Sequence, residues 1–288
     1  MERIKLAIEK AKSQANTGMA TEVGPAEQPA AVAAVATAPT SPGADTQAVS
    51  VPEPVEVRYE RTEVVQLDEA LLDQRRVIAH QKTHPASWAF DVLRTQVLQQ
   101  MDEHGWRTLA ITSPTMESGK TLVAINLAMS IAHQADRTAL LVDFDLRRPN
   151  VSNFLGLHRK ISLNEVLAGS ATLAEAMVNP GLPKLVVLPT NRPVPKASEV
   201  LSSPKVGDLI TELRERYNDR IVLIDLPPVL AADDVMAILP RVDCVLMVVA
   251  SGNSTEKEIE ESMARLGKAN LLGVVLNKDR TPTNNTYY

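Results

Sequence analysis

Ser118, Gly119, Lys120 and Thr121 carry the first legible chemistry in this chain. A glycine, a lysine and a hydroxyl in that order suit a polyphosphate. Backbone N–H groups approach the anion closely at the glycine, the ammonium reaches the outer phosphates, and the hydroxyl can sit on Mg²⁺. Leu109-Ala110-Ile111 ahead of the loop reads as a buried strand. The stretch behind it, with Val123, Ile125, Leu127, Ala128 and Ile131, reads as a helix. Such a loop binds phosphate in this context because the first N–H groups of a helix are unpaired and its dipole adds positive potential. Two residues depart from the usual pattern: Pro114 stands where a glycine six residues before the lysine is expected, and Glu117 puts a carboxylate into the loop. The plainer alternative is an ordinary strand–helix connection.

Carboxylates close two further apolar runs. Asp143, Phe144 and Asp145 follow Ala-Leu-Leu-Val and precede Arg147, Arg148 and Pro149; Asp225, Leu226, Pro227 and Pro228 follow Ile-Val-Leu-Ile. Mg²⁺ prefers oxygen ligands and keeps several waters, so paired carboxylates near a lysine loop suit metal-assisted phosphoryl transfer. A second carboxylate could orient or deprotonate a hydroxyl nucleophile. One acidic strand end would mean only that the strand meets solvent; two beside a Gly-Lys-Thr loop favour a site.

The elements that must position these groups form a regular alternation. Strand-like runs cover Thr108–Thr112, Ala139–Val142, Leu185–Leu188, Ile221–Ile224, Cys244–Ala250 and Leu271–Leu276. Helical patterns cover residues 86–103, Thr121–His133, Lys205–Tyr217, Asp233–Leu239 and Thr255–Lys268. Continuous aliphatic strands between helices predict an α/β fold with a mostly parallel sheet covered on both faces. Ligands of such sheets bind at the carboxyl ends of the strands, where the acidic residues and the lysine loop fall.

Around this domain, placed at residues 66–278, the composition changes. Residues 1–19 hold a short helix with Ile4, Ala7, Ile8 and Ala11 on one face, which reads either as a frayed end or as a docking helix. Residues 20–65 read as a disordered Pro/Ala-rich linker, and 279–288 as a flexible tail ending in Asn-Thr-Tyr-Tyr. The 288 residues carry a formal charge of -5, so no overall basic surface suggests nucleic acid. The single cysteine, Cys244, excludes an internal disulfide, and no apolar run approaches the roughly 18 residues of a membrane span. A cytoplasmic protein is expected. His80 and His84 are four apart, but Pro85 follows at once and no third ligand is near, so a metal site there is not expected.

Thr-Ala-Leu-Leu-Val-Asp-Phe-Asp-Leu-Arg-Arg-Pro (residues 138–149) resembles the second Walker-type motif of the bacterial tyrosine kinases of capsule and exopolysaccharide loci. Residues 220–230, with Asp233 and Asp234 soon after, resemble their third motif; Lys196–Lys205 resembles their linking segment and residues 271–278 their last strand. The resemblance covers residues 86–278. It implies a P-loop NTPase-type fold and an ATP-dependent protein-tyrosine autokinase that regulates exopolysaccharide polymerisation and export. Lys120, Asp143 and Asp145 would be catalytic. Ser118, Gly119, Lys120, Thr121 and Asn277 would bind ATP, with Asn277 near the base. Thr121, Asp143 and Asp225 would hold Mg²⁺, and Tyr287 and Tyr288 would accept phosphate. A transmembrane polysaccharide co-polymerase would be the partner, holding the kinase at the inner membrane. The family's Pro-Gly is Met116-Glu117 here, and of its Glu-x-x-Arg-x-x-Arg pattern only Arg94 remains beside Trp88 and Asp91. Self-association therefore stays open. Thr115 replaces the second lysine of the related partition ATPases. The alternatives are a catalytically degenerate nucleotide-sensing scaffold and a non-kinase ATPase of the same export system.

Overall fold

The computed structural model describes residues 62–84, 86–216 and 219–279. The expected N-terminal helix, nearly all of the linker, Tyr287 and Tyr288 lie outside them. The aliphatic runs form one sheet. Its central strands are β2 (Thr108–Thr112), β3 (Thr138–Asp143), β5 (Leu185–Leu188), β6 (Arg220–Asp225) and β7 (Cys244–Ala250), and every residue in them is buried. With β1 (Glu63–Val64), β4 (Val178–Asn179) and β8 (Leu271–Asn277), the spatial order is β1-β4-β5-β3-β6-β2-β7-β8. Among the described residues only β4 and β5 run antiparallel. Strands buried on both faces need no polar alternation, which is why continuous Val/Ile/Leu runs marked them.

Register sets the chemistry. Asp143 of β3 lies opposite Asp225 of β6, and Asp225 lies opposite Ile111 of β2, the strand that feeds the lysine loop. Both carboxylates and the loop therefore share the carboxyl edge of three adjacent strands, as the sequence predicts.

One face is covered by α2 (Ser87–His104) and α3 (Lys120–Ala132), with a strap at residues 75–82 between α1 (Glu69–Gln74) and α2. Helix α3 is buried at Thr121 and at every residue from Val123 to Ala132. Its two interior polar residues are locks. Asn126 Oδ1 accepts the N–H groups of Ile78 (2.8 Å) and Ala79 (2.9 Å), while its Nδ2 donates to the carbonyls of Leu122 (2.9 Å) and Arg76 (3.2 Å). Ser130 Oγ donates to Asp91 and accepts from Arg94, which also bonds Asp91. Arg94, the survivor of the family's assembly pattern, is thus turned inward as a clasp between α2 and α3.

The other face packs against α5 (Leu163–Ala168), α7 (Ala197–Ser202), α8 (Pro204–Glu215), α9 (Asp234–Ile238) and α10 (Glu256–Leu266). Helices α4 (Val151–Leu155), α5 and α6 (Leu173–Ala176) were absent from the periodic pattern. At five, six and four residues they are too short to show one. Two carry capping boxes, Ser162 with Glu165 and Thr172 with Glu175, and that spacing was the available signal. No helix among the described residues is long and apolar enough to cross a membrane.

Candidate functional site

The loop between β2 and α3 is shaped by its neighbours. The segment after β6 runs along its first half: Leu226 N–H donates to Ile111 O (2.9 Å), Val229 N–H to Ser113 O (2.8 Å) and Leu230 N–H to Pro114 O (3.2 Å). Thr112 Oγ1 adds a bond to Pro227 O at 2.7 Å. Pro114 is tolerated in place of glycine because only its carbonyl is used there. The second half curls through two left-handed residues, Glu117 at φ 61° and Gly119 at φ 86°. Glycine adopts this region freely; an exposed glutamate does so under strain.

Gly119 stands at the N-cap of α3, and no side chain caps that end. The first N–H groups of the helix are left for a ligand. A Cβ on Gly119 would fall 2.2 Å from Asn277 Nδ2. Asn277 itself donates to Ser118 O at 2.9 Å, so the end of β8 clasps the loop from outside. The structure thus places Asn277 against the loop backbone.

Lys120 turns into the acidic edge. Its Nζ lies 2.8 Å from Asp145 Oδ2 and 3.5 Å from Asp225 Oδ1, while Thr121 Oγ1 donates to Asp225 Oδ2 at 2.6 Å. Asp143 and Asp225 are fully buried and Asp145 nearly so. Burial works against the Lys120 ammonium, but Asp225 and Asp145 outweigh it and hold its pKa above the ordinary value. Burial raises Asp225, against the pull of Lys120 and the Thr121 hydroxyl. Burial, then the Asp225 charge, raises Asp143 well above the ordinary carboxylate range. Three carboxylates around one ammonium leave a negative excess that a divalent cation would offset.

Asp143 is the most committed of the three. Its Oδ1 accepts the Asp145 N–H (3.2 Å), and its Oδ2 accepts the N–H groups of Asn150 and Val151, both at 3.0 Å. It thereby fixes the turn that presents Asp145 and starts α4. Among the described residues, no group of three or more acidic, His or Cys side chains converges as a ready metal cage. Thr121 and Asp225, already in contact, are the residues that would hold a Mg²⁺ here. The cradle at Gly119, the uncapped helix start and this pair fit a Mg·nucleotide. His84, by contrast, accepts the Ala86 N–H through Nδ1 at the start of α2.

The residue patterns above miss one network. Arg147 makes a two-pronged contact with buried Asp234 at 2.8 and 2.9 Å and a bond to Ser198 Oγ at 2.9 Å. It ties the Asp145 turn to α7 and α9. The Arg-Arg pair after Asp-x-Asp was the signal for it.

The family description of an AAA domain matches residues 107–269, more than half of the chain. Tyrosine-protein kinase etk of Escherichia coli (strain K12) is 34% identical over 191 residues, 66% of this chain and 26% of that protein. Tyrosine-protein kinase wzc of Salmonella typhi is 33% identical over 187 residues, 64% of this chain and 26% of the relative. The chain therefore spans about a quarter of the length of these curated relatives. The solved kinase domain of Escherichia coli tyrosine kinase ETK superposes with a TM-score of 0.67 at 30% identity, covering 78% of this chain and 91% of that domain. The chain belongs to the AAA-domain family, among the kinase domains of the bacterial tyrosine kinases.

Proposed function

We propose that this protein is an ATP-dependent tyrosine autokinase that regulates exopolysaccharide polymerisation and export. The observation that carries the reading is the contact set Lys120–Asp145, Lys120–Asp225 and Thr121–Asp225 at the mouth of the loop. A lysine held by carboxylates is pre-positioned to exchange them for phosphates. As Lys120 turns outward, Asp145 is vacated beside the acceptor. Asp145, rather than Asp143, is then the carboxylate open to a tyrosine hydroxyl, with Asp143 holding its turn. The γ-phosphorus–oxygen bond to the nucleoside diphosphate breaks, a bond to the phenolic oxygen forms, and the phenol proton passes to Asp145. Mg²⁺, held by Thr121 and Asp225, would neutralise charge on the phosphates.

Tyr287 and Tyr288 are the proposed acceptors. Each phosphorylation adds about -1.5 to -2 charge, enough to change self-association by repulsion. The proposed partner is a transmembrane co-polymerase, which would hold the kinase at the inner membrane. The family membership and the tyrosine-kinase names of the relatives support this reading. Incubation with γ-labelled ATP and Mg²⁺ tests it: label should enter tyrosine in the wild type and not in Lys120→Ala.

One observation favours a second reading, a nucleotide-sensing scaffold without transfer activity. Glu117 sits in the loop in a strained left-handed conformation. That reading predicts nucleotide binding without phosphotyrosine.

A further inference from the structure

Lys120 and Arg147, the two cations tied to the Asp145 turn, are both neutralised. Lys120 faces Asp145 and Asp225, and Arg147 faces Asp234. Arg148 is different. Its guanidinium Nη1 lies 3.0 Å from the thioether of Met116, and it has no carboxylate partner among the described residues. A thioether is a weak acceptor, so little holds the guanidinium in place. Met116 belongs to the phosphate loop itself and is 48% exposed.

The backbone of Arg148, in contrast, is fixed. Its N–H donates to Asp145 Oδ1 at 3.0 Å, and the other oxygen of that carboxylate holds Lys120. An exposed guanidinium with no carboxylate partner among the described residues is thereby mounted one carboxylate away from the loop lysine, with its tip across the loop. An arginine fork matches phosphate oxygens in two-pronged fashion, and a fixed base with a free tip needs little reorganisation to reach one.

Resting on the proposed nucleotide site, we propose that Arg148 reads the terminal phosphate: it leaves Met116 and closes on the γ-phosphate of a bound nucleoside triphosphate, discriminating it from the diphosphate. Arg148 would then do from within the chain what a separate arginine finger does elsewhere.

The test is calorimetric titration of the full chain with Mg²⁺ and either ADP or a β,γ-imido ATP analogue, using wild type, Arg148→Ala and Arg148→Lys. Losing a charge-assisted contact to one phosphate should weaken the analogue about 10- to 100-fold in Arg148→Ala. ADP affinity should stay within about 2-fold, because the guanidinium does not contact the inner phosphates in this scheme. Arg148→Lys should fall between, keeping the charge without the fork. Melting temperatures of the three proteins should agree, since only a thioether contact is lost. Equal weakening of both nucleotides, or no weakening of either, overturns the assignment while leaving the nucleotide site intact. Failure of the wild type to bind either nucleotide would overturn the functional reading together with it.

Discussion

Asn126→Ala removes the three hydrogen bonds by which α3 holds the strap at residues 76–79, together with one inside the helix to Leu122 O. Asn126 is fully buried, and the strap residue Ala79 is 3% exposed. The Ala79 N–H would be stranded away from water, at about 1–3 kcal/mol. Ile78 is half-buried and can turn to solvent, so its bond and those of the amide group add about 1 kcal/mol. Alanine returns up to about 0.7 kcal/mol through helix propensity. The net expectation is a loss of roughly 1–4 kcal/mol, with the transition midpoint moving down by about 0.5–2 M in urea. Asn126→Asp is the informative companion. It keeps both acceptor contacts but loses the donors to Arg76 and Leu122 and buries a charge, so it should be destabilised as well. Within the folded domain, limited proteolysis should open new cuts between residues 76 and 82 in both variants. A midpoint shift below about 0.3 M for Asn126→Ala would refute the reasoning that the strap is fastened through this side chain.

Other outcomes follow from the loop and the acidic edge. Glu117→Gly relieves a left-handed glutamate worth about 1–2 kcal/mol but adds unfolded-state entropy of about 0.4–1 kcal/mol. Thermal stability should change little or rise, while nucleotide affinity rises as the carboxylate leaves; a fall in affinity would contradict the strained-loop account. Gly119→Ala places a methyl group on Asn277 at a φ of 86°, so it should abolish nucleotide binding by calorimetry, and Asn277→Ala in the same chain should partly restore it. Asp225 has a folded-state pKa above its unfolded value, so the folded protein binds the proton more readily. Its contribution is present at low pH and lost as pH rises through the folded value. In metal-free buffer the stability of the wild type relative to Asp225→Asn should decline from about pH 4 toward neutrality, read by urea titration. A constant difference would refute the direction assigned to this group.

The central strands and the phosphate loop were legible because burial on both faces writes itself as uninterrupted aliphatic runs. Asp143 and Asp225 could be placed at one edge because a parallel sheet aligns its carboxyl ends. Strands β1 and β4, two residues each, hold too few residues for any period. The roles within the site were harder. Nothing in Asp-Phe-Asp says that Asp143 spends its oxygens on three backbone N–H groups while Asp145 meets the lysine. Asn126 is a polar residue within a largely apolar helical run. Its function depends on a strap some 50 residues away, a pairing that no local pattern encodes.

The most direct test of autokinase activity is mass spectrometry of the last tryptic peptide, Thr281–Tyr288, from protein made in its own host, beside the Lys120→Ala variant. The account predicts phosphate on Tyr287 or Tyr288 in the wild type and none in the variant. An unmodified peptide in both proteins, or phosphate that persists without Lys120, would contradict it.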